Sequence, residues 1–162
     1  MSTALALAWS TLALVAGVSG HARAQEGLGQ ESATNRQVVP YVVTDDAITE
    51  PLAVQRGDPA LGEALIGERH RSLCILCHAL PSGVERLQGT LAPSLAGIGS
   101  RLSEGQIRLR IVDMKRLNPE SIMPTYHALP ASARIAPGWQ GKPVLGAAEI
   151  EHLVAYLVTL KE

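Results

Sequence analysis

The sequence predicts an all-α domain, and three observations support this fold class. Apolar residues recur at the spacing of one helix face in a segment that begins near Asp58 and in another that ends near Lys161. Between them, Ser103 and Gln106 stand at the spacing of a capping box, which marks a helix start. The apolar run at residues 38–43 contains a proline, which disqualifies it from a central strand.

The first predicted helix begins at Asp58-Pro59. Asp58 is a suitable N-cap, Pro59 suits the first helical position, and the apolar face consists of Leu61, Leu65 and Ile66. We expect this helix to run toward Cys74. Gly62 lies early in it and costs about 1 kcal/mol relative to Ala. We therefore expect another element, the last helix, to approach closely at Gly62.

Two further helices are predicted. The capping box starts a helix that extends from about Glu104 to Arg116. Gly146-Ala147-Ala148-Glu149 starts the last helix, which extends to Lys161. Their apolar faces consist of Ile107, Ile111 and Met114 in the first and of Ile150, Leu153, Val154, Leu157 and Leu160 in the second.

The pattern Cys74-Ile75-Leu76-Cys77-His78 is the strongest chemical signal in the chain. Cys-x-x-Cys-His is the pattern to which haem is attached in c-type cytochromes. Two thiols add to the two porphyrin vinyl groups, and the histidine that follows can bind one face of the iron. The sequence therefore predicts one haem c, attached through Cys74 and Cys77 and ligated by His78. A porphyrin would also add apolar bulk to a chain with no Phe, two Trp and three Tyr.

Three other interpretations of this pattern are weaker. A structural zinc site needs about four ligands, and these two cysteines are the only ones in the chain. A thioredoxin-like redox pair would follow a strand in a βαβ pattern, whereas the surroundings here are helical. A small local disulfide with an incidental histidine is the third alternative.

The second iron ligand is predicted to be Met123. It lies 45 residues after His78, and Pro124 biases its backbone toward an extended conformation. A thioether ligand favours the reduced iron and suits electron transfer. Met114 is an alternative, although its helical spacing favours core packing, and His127 is another. His70 and His152 lie on predicted helices with no ligand pattern around them.

The first 24 residues are predicted to be a signal peptide. The stretch from Thr3 to Val18 is apolar, and Ala22-Arg23-Ala24 supplies a cleavage pattern, so we expect cleavage after Ala24 and a periplasmic protein. No basic residue precedes the apolar stretch, as a signal peptide would normally have, and a wrongly assigned start codon would explain this. An uncleaved anchor is the alternative, but about 16 residues is short of the roughly 20 that a membrane span needs.

The mature chain is predicted to consist of an extension and one domain. Residues 25–57 are mostly polar and form either a loose tail or an arm that docks on a partner, and residues 58–162 form the domain. Loss of Arg23 with the signal peptide changes the formal net charge from −1 to −2. This charge, without a basic run or an aromatic ladder, gives no support for nucleic-acid binding.

Several motifs occur in an order that resembles the SoxX family, the small monohaem cytochromes of SoxAX complexes. The resemblance extends from about residue 50 to the C-terminus. The motifs are Gly57-Asp58-Pro59, Cys74 to His78, Pro93-Ser94-Leu95-Ala96-Gly97, Arg110-Ile111-Val112-Asp113, Asn118-Pro119, Ile122-Met123-Pro124, Ala136-Pro137, Gly141-Lys142-Pro143-Val144-Leu145 and Val154-Ala155-Tyr156-Leu157.

This resemblance implies a class I cytochrome c fold in which two terminal helices cross at a glycine. It also implies that the Pro93 carbonyl accepts a hydrogen bond from His78 and that Arg101 lies near a haem propionate. A SoxA-like subunit would be the partner and would carry the sulfur chemistry. That subunit joins thiosulfate to a cysteine of a SoxYZ-like carrier, as an L-cysteine S-thiosulfotransferase. This chain would pass the electrons to a downstream acceptor without being catalytic itself.

Two other functions use the same residues. A free-standing, diffusible cytochrome c that serves an oxidase would need neither the arm nor a stable partner. A haem-based gas sensor would need an open sixth position on the iron, which Met123 in its proline-bounded loop argues against.

Overall fold

The structure, a computed structural model, describes residues 37–81, 87–129 and 135–161. Within these ranges there is no β-strand, only an isolated bridge between Thr44 and Ala47. The helices are α1 (Pro59–Ile66), α2 (Ile98–Arg101), α3 (Glu104–Asp113) and α4 (Ala147–Leu157), with 3-10 turns at Cys74–Leu76, Met114–Arg116 and Pro137–Trp139. The predicted signal peptide, residues 1–24, lies outside the described residues.

Helix α1 begins as predicted but ends early. The Asp58 side chain accepts a hydrogen bond from the Ala60 amide at 2.8 Å, and Pro59 occupies the first position. The helix stops after Ile66, where the Ser72 hydroxyl donates to the Ile66 carbonyl at 3.3 Å. A side chain thus takes a carbonyl that a longer helix would have used, and the chain turns before Cys74.

Helices α1 and α4 cross at Gly62, as predicted. A Cβ atom on Gly62 would overlap the His152 carbonyl and would lie 2.7 Å from the Tyr156 Cβ. The two backbones are therefore too close for any side chain at this position. Helix α4 ends at Leu157, four residues before the predicted end, and the Thr159 hydroxyl donates to the Tyr156 carbonyl at 2.6 Å.

Helix α3 has the predicted capping box. The Gln106 amide donates to the Ser103 hydroxyl at 3.3 Å, and the Gln106 side chain accepts from the Ser103 amide at 2.9 Å. The α-helix ends at Asp113, whose backbone is not helical, and a separate 3-10 turn at Met114–Arg116 follows, so the helix ends three residues before the predicted end near Arg116.

The described part of the extension, residues 37–57, belongs to the core. Ile48 is fully buried and Leu52 is buried, and the Leu52 amide donates to the Glu151 carboxylate on α4 at 2.8 Å. The sequence boundary at Asp58 therefore does not coincide with a boundary of the core. Periodicity did not reveal these residues, because Ile48 and Leu52 lie in the short apolar runs Ala47-Ile48 and Leu52-Ala53-Val54, which follow neither a helix nor a strand repeat.

The core is formed by residues of this segment, the haem-motif turn, α1, α3, the following loop and α4. Its buried apolar members are Ile48, Leu52, Leu65, Ile66, Ile75, Leu80, Ile107, Leu109, Ile111, Val112, Tyr126, Leu145, Ala147, Ile150, Leu153, Val154, Tyr156 and Leu157. Across the part of the chain that the structure describes, no helix has the length and apolarity of a membrane span.

Candidate haem site

The Cys-x-x-Cys-His motif forms one tight turn. The Cys74 carbonyl accepts from the Cys77 amide at 3.2 Å and from the His78 amide at 2.9 Å. Ile75 is fully buried and anchors the turn in the core, and both cysteines carry free thiols. The turn therefore presents two thiols and one imidazole within five residues. Among the described residues, no three His, Cys, Asp or Glu side chains are grouped to hold a metal ion directly.

The His78 ring is oriented by a backbone carbonyl. Its Nδ1 lies 2.7 Å from the Pro93 oxygen, so Nδ1–H donates to this carbonyl and Nε2 takes no part in the bond. Iron-binding histidines are commonly held in this way by a carbonyl, which fixes the tautomer and the ring orientation. The distance matches the hydrogen bond that the family resemblance implies.

The loop that supplies this carbonyl is held on one side by the residue after the motif and on the other side by Arg101. The Leu95 amide donates to the Ala79 carbonyl at 2.8 Å, directly after His78. From the other side, Arg101 donates to the Ala96 carbonyl at 2.7 Å and to the Ser94 carbonyl at 3.5 Å. Arg101 thus holds the loop in shape, while its predicted role beside a haem propionate stays a prediction.

A second segment packs on the other side of the motif. The Gly89 amide donates to the Ile75 carbonyl at 2.8 Å, and the Ala92 amide donates to the Cys77 carbonyl at 2.9 Å. A Cβ on Gly89 would overlap the Leu76 carbonyl and would lie 2.8 Å from the Cys77 Cα. The sequence analysis missed this contact, for which Gly89 itself is the only local signal.

Met123 lies on a loop with one hydrogen bond at its own amide and another at Thr125. Its amide donates to the Ser121 hydroxyl at 3.2 Å, and its side chain is half-buried against the core. Two residues later, the Thr125 hydroxyl donates to the Asp113 carboxylate at 3.2 Å. Met114 is also half-buried, at the junction of α3 with the next turn. The assignment of Met123 as the second iron ligand stays a prediction.

His127 has a structural role that argues against iron ligation. Its side chain is fully buried, its Nδ1 lies 2.9 Å from the Leu145 oxygen, and its Nε2 accepts from the Val39 amide at 3.0 Å. Both ring nitrogens are therefore engaged. Burial lowers the pKa of His127, while the Leu145 hydrogen bond and the Glu151 charge oppose this shift.

Of the two other histidines among the described residues, one makes a structural hydrogen bond and one is exposed. His152 on α4 accepts from the Asp58 amide at 2.8 Å through Nδ1, which links α4 to the start of α1. His70 is exposed.

Tyr126 is a residue of the site that the sequence analysis did not identify. The ring is buried, and its hydroxyl donates to the Ser72 carbonyl, two residues before Cys74. The Cys74 Sγ lies 3.4 Å from the same carbonyl. Burial, with a smaller contribution from the nearby Cys74, raises the pKa of Tyr126, so the hydroxyl stays a donor at neutral pH. Burial also raises the pKa of the Cys74 thiol.

The residues around the motif fit a covalently bound haem. Two unpaired thiols stand three residues apart on one turn, and the adjacent imidazole is fixed through one nitrogen. Large apolar side chains stand exposed on the motif turn, the segment that packs on it and the Met123 loop. They are Leu76, Leu87, Leu91 and Ile122. A haem would cover apolar surface of this kind, which is otherwise costly to expose.

Comparison with known proteins supports one family. The sequence matches no protein-family model and no curated protein. It does match a solved structure, that of SoxXA from P. pantotrophus, with a TM-score of 0.70 and 31% sequence identity. The match covers 79% of this chain and 99% of the matched chain. The chain therefore has the all-α class I cytochrome c fold, as predicted, and belongs to the SoxX family.

Proposed function

We propose that this chain is the electron-transfer subunit of a SoxAX-type complex. The match to a chain of SoxXA supports a SoxA-like subunit as its partner. Within that complex, the chain accepts electrons released by oxidation of a sulfur substrate and delivers them to a downstream acceptor.

The chain holds its cofactor through residues of the motif and of two loops. Cys74 and Cys77 would form the thioether bonds to haem c, and His78 and Met123 would bind its iron. When bound, haem c supplies a one-electron couple between ferric and ferrous iron. Arg101 holds the loop of Pro93 in shape and reaches a propionate.

The ligand environment favours electron transfer over gas binding. The Pro93 carbonyl fixes the His78 ring, and the hydrogen bonds of Ser121 and Thr125 hold the Met123 loop on both sides of its methionine. A Met/His ligand pair raises the reduction potential of a c-type haem. Ligands on segments held by these hydrogen bonds would limit the change in geometry when the iron changes oxidation state.

The sulfur chemistry belongs to the partner. Joining thiosulfate to a carrier cysteine forms one S–S bond, breaks one S–H bond and releases one proton and two electrons. This chain has two cysteines, and thioether formation uses both, so it retains no thiol for a sulfur adduct. Its role is to accept the two electrons one at a time. The thiol that receives thiosulfate is on a SoxYZ-like carrier.

We propose a periplasmic location for the mature chain. Residues 1–24 are a signal peptide cleaved after Ala24, residues 25–57 are the extension, which contributes Ile48 and Leu52 to the core, and residues 58–162 contain helices α1 to α4 of the cytochrome domain. Covalent haem attachment takes place outside the cytoplasm, where paired cysteines are handled in an oxidising compartment.

The single observation that carries the proposal is the 2.7 Å contact between His78 Nδ1 and the Pro93 oxygen on a Cys-x-x-Cys-His turn. The test is an absorption spectrum of the full chain matured in a periplasm, scanned for the weak near-infrared sulfur-to-iron band. We expect the band in the wild type and in the control Met114→Ala, and we expect its loss in Met123→Ala. Retention of the band in Met123→Ala would refute the ligand assignment.

The partner assignment needs its own experiment. Co-expression with a SoxA-like subunit should give a heterodimer that survives size-exclusion chromatography. Elution of this chain alone, with an intact spectrum, would instead support a free-standing cytochrome c.

A further inference from the structure

Tyr126 joins the loop of the predicted methionine ligand to the chain that leads into haem attachment. It lies three residues after Met123, and its hydroxyl donates to the carbonyl of Ser72, two residues before Cys74. The two segments are 54 residues apart in sequence. We infer that Tyr126 is a positioning residue that keeps Met123 on the iron, an inference that rests on the proposed function.

Both ends of this link are fixed. The Tyr126 amide donates to the Val112 carbonyl at 3.2 Å, and the Tyr126 carbonyl accepts from the Leu145 amide at 2.9 Å. Ser72 is fully buried, and its hydroxyl donates to the Ile66 carbonyl at 3.3 Å. The Tyr126 hydroxyl therefore connects two held segments and does not bridge mobile ones.

Covalent attachment makes the link more important. In the free thiol form, the Ser72 carbonyl has two donors among the described residues, the Cys74 S–H and the Tyr126 O–H. Addition of the Cys74 thiol to a vinyl group moves the sulfur-bound hydrogen to carbon and leaves a thioether, which has no S–H to donate. The buried carbonyl of Ser72 then depends on Tyr126, and an unsatisfied buried carbonyl is costly.

The consequence concerns how easily the methionine leaves the iron. When Met123 leaves the iron, the displacement of its loop extends to residue 126 and, against the backbone bonds that hold Tyr126, pulls the hydroxyl away from Ser72. Without the hydroxyl, that movement no longer breaks a buried hydrogen bond. Loss of one such bond corresponds to about a tenfold change in an equilibrium.

The test uses carbon monoxide binding to the reduced, full-length haem protein. Carbon monoxide must displace Met123, so its binding rate reports how often the methionine is off the iron. We expect Tyr126→Phe to keep the sulfur-to-iron band when oxidised and, when reduced, to bind carbon monoxide about tenfold faster than the wild type. The matched control is Tyr156→Phe, which removes a hydroxyl from another buried tyrosine at the α1–α4 crossing and should bind at the wild-type rate.

A second measurement needs no variant. In the reduced wild type, the hydroxyl proton of Tyr126 can be followed by NMR, and its exchange with solvent should accelerate by about tenfold or more when carbon monoxide displaces Met123. Unchanged proton exchange would overturn the inference, as would equal carbon monoxide rates in wild type and Tyr126→Phe. A wild type without the sulfur-to-iron band would overturn the ligand assignment together with this inference, so the two failures are distinguishable.

Discussion

Arg108 on α3 and Glu151 on α4 form a buried ion pair with two hydrogen bonds. The Arg108 Nε lies 2.8 Å from Oε1 of Glu151, and its Nη2 lies 2.9 Å from Oε2. Both residues also bond to the N-terminal segment, since Arg108 Nη1 donates to the Ile48 carbonyl at 2.7 Å and Glu151 accepts from the Leu52 amide. One ion pair thus joins three parts of the chain.

We expect Arg108→Leu to be strongly destabilising. It would leave the Glu151 carboxylate buried without its cation, a change that typically costs about 3–5 kcal/mol. The free energy of unfolding, measured by denaturant titration of the haem protein, checks this. The control is Arg110→Gln on the same helix, which removes a partly exposed pair with Asp46 and should cost less than about 1 kcal/mol. Similar losses in both variants would contradict the assigned role of the buried pair.

Gly62→Ala should disrupt the crossing of α1 and α4. The new Cβ would overlap the His152 carbonyl, which is backbone and cannot rotate away, so the helices must separate. Overpacking of this kind costs about 1–3 kcal/mol, and more when backbone must move. Thermal unfolding is the measurement. Gly138→Ala is the control, because a Cβ there meets no atom within 4 Å. An equal change in melting temperature for both variants would rule out the steric explanation.

Stability should fall in mild acid because of His127. Burial lowers the pKa of His127 below its usual 6.5, so the unfolded chain takes up a proton before the folded chain does. The contribution of His127 is therefore complete above about pH 6.5 and is lost as the pH falls from there toward the lower folded-state pKa.

The pH dependence of His127→Gln tests this prediction. The variant should show a smaller loss of unfolding free energy between about pH 7 and pH 5 than the wild type does. His70→Gln, which changes an exposed histidine, should keep the wild-type slope. A slope that is unchanged in His127→Gln would show that this histidine does not contribute.

Gly89→Ala should reduce covalent haem attachment. Its Cβ would overlap the Leu76 carbonyl inside the Cys-x-x-Cys-His turn, so the turn that presents both thiols must distort. Haem staining of denatured protein measures attachment per chain. We expect less stain in Gly89→Ala than in the wild type, and wild-type staining in Gly138→Ala. Full staining of Gly89→Ala would mean that the turn tolerates displacement.

The features predicted from sequence are those that depend on nearby residues. The capping box of α3 needs only residues 103–106, and the crossing at Gly62 follows from one glycine in an amphipathic segment. The predicted end of α1 was wrong because the actual end depends on Ser72, six residues beyond Ile66. The Arg108–Glu151 pair spans 43 residues, and neither residue has a local pattern that predicts burial.

In the candidate site, too, the contiguous motif was predictable from the sequence and the long-range contacts were not. The attachment motif is contiguous, so its chemistry can be inferred from five residues. The contact of His78 with Pro93 was inferred only through the family resemblance. Tyr126 has no motif, and its contact with Ser72 arises from the packing of the tertiary structure.

The contacts of residues 37–57 determine where a fragment that keeps the whole core must begin. A fragment cut at Gly57 would keep α1 to α4 and the whole attachment motif. It would nevertheless leave Arg108 and Glu151 without two of their backbone partners and His127 without the amide of Val39. A fragment that keeps these contacts thus begins upstream of α1, at or before Val39.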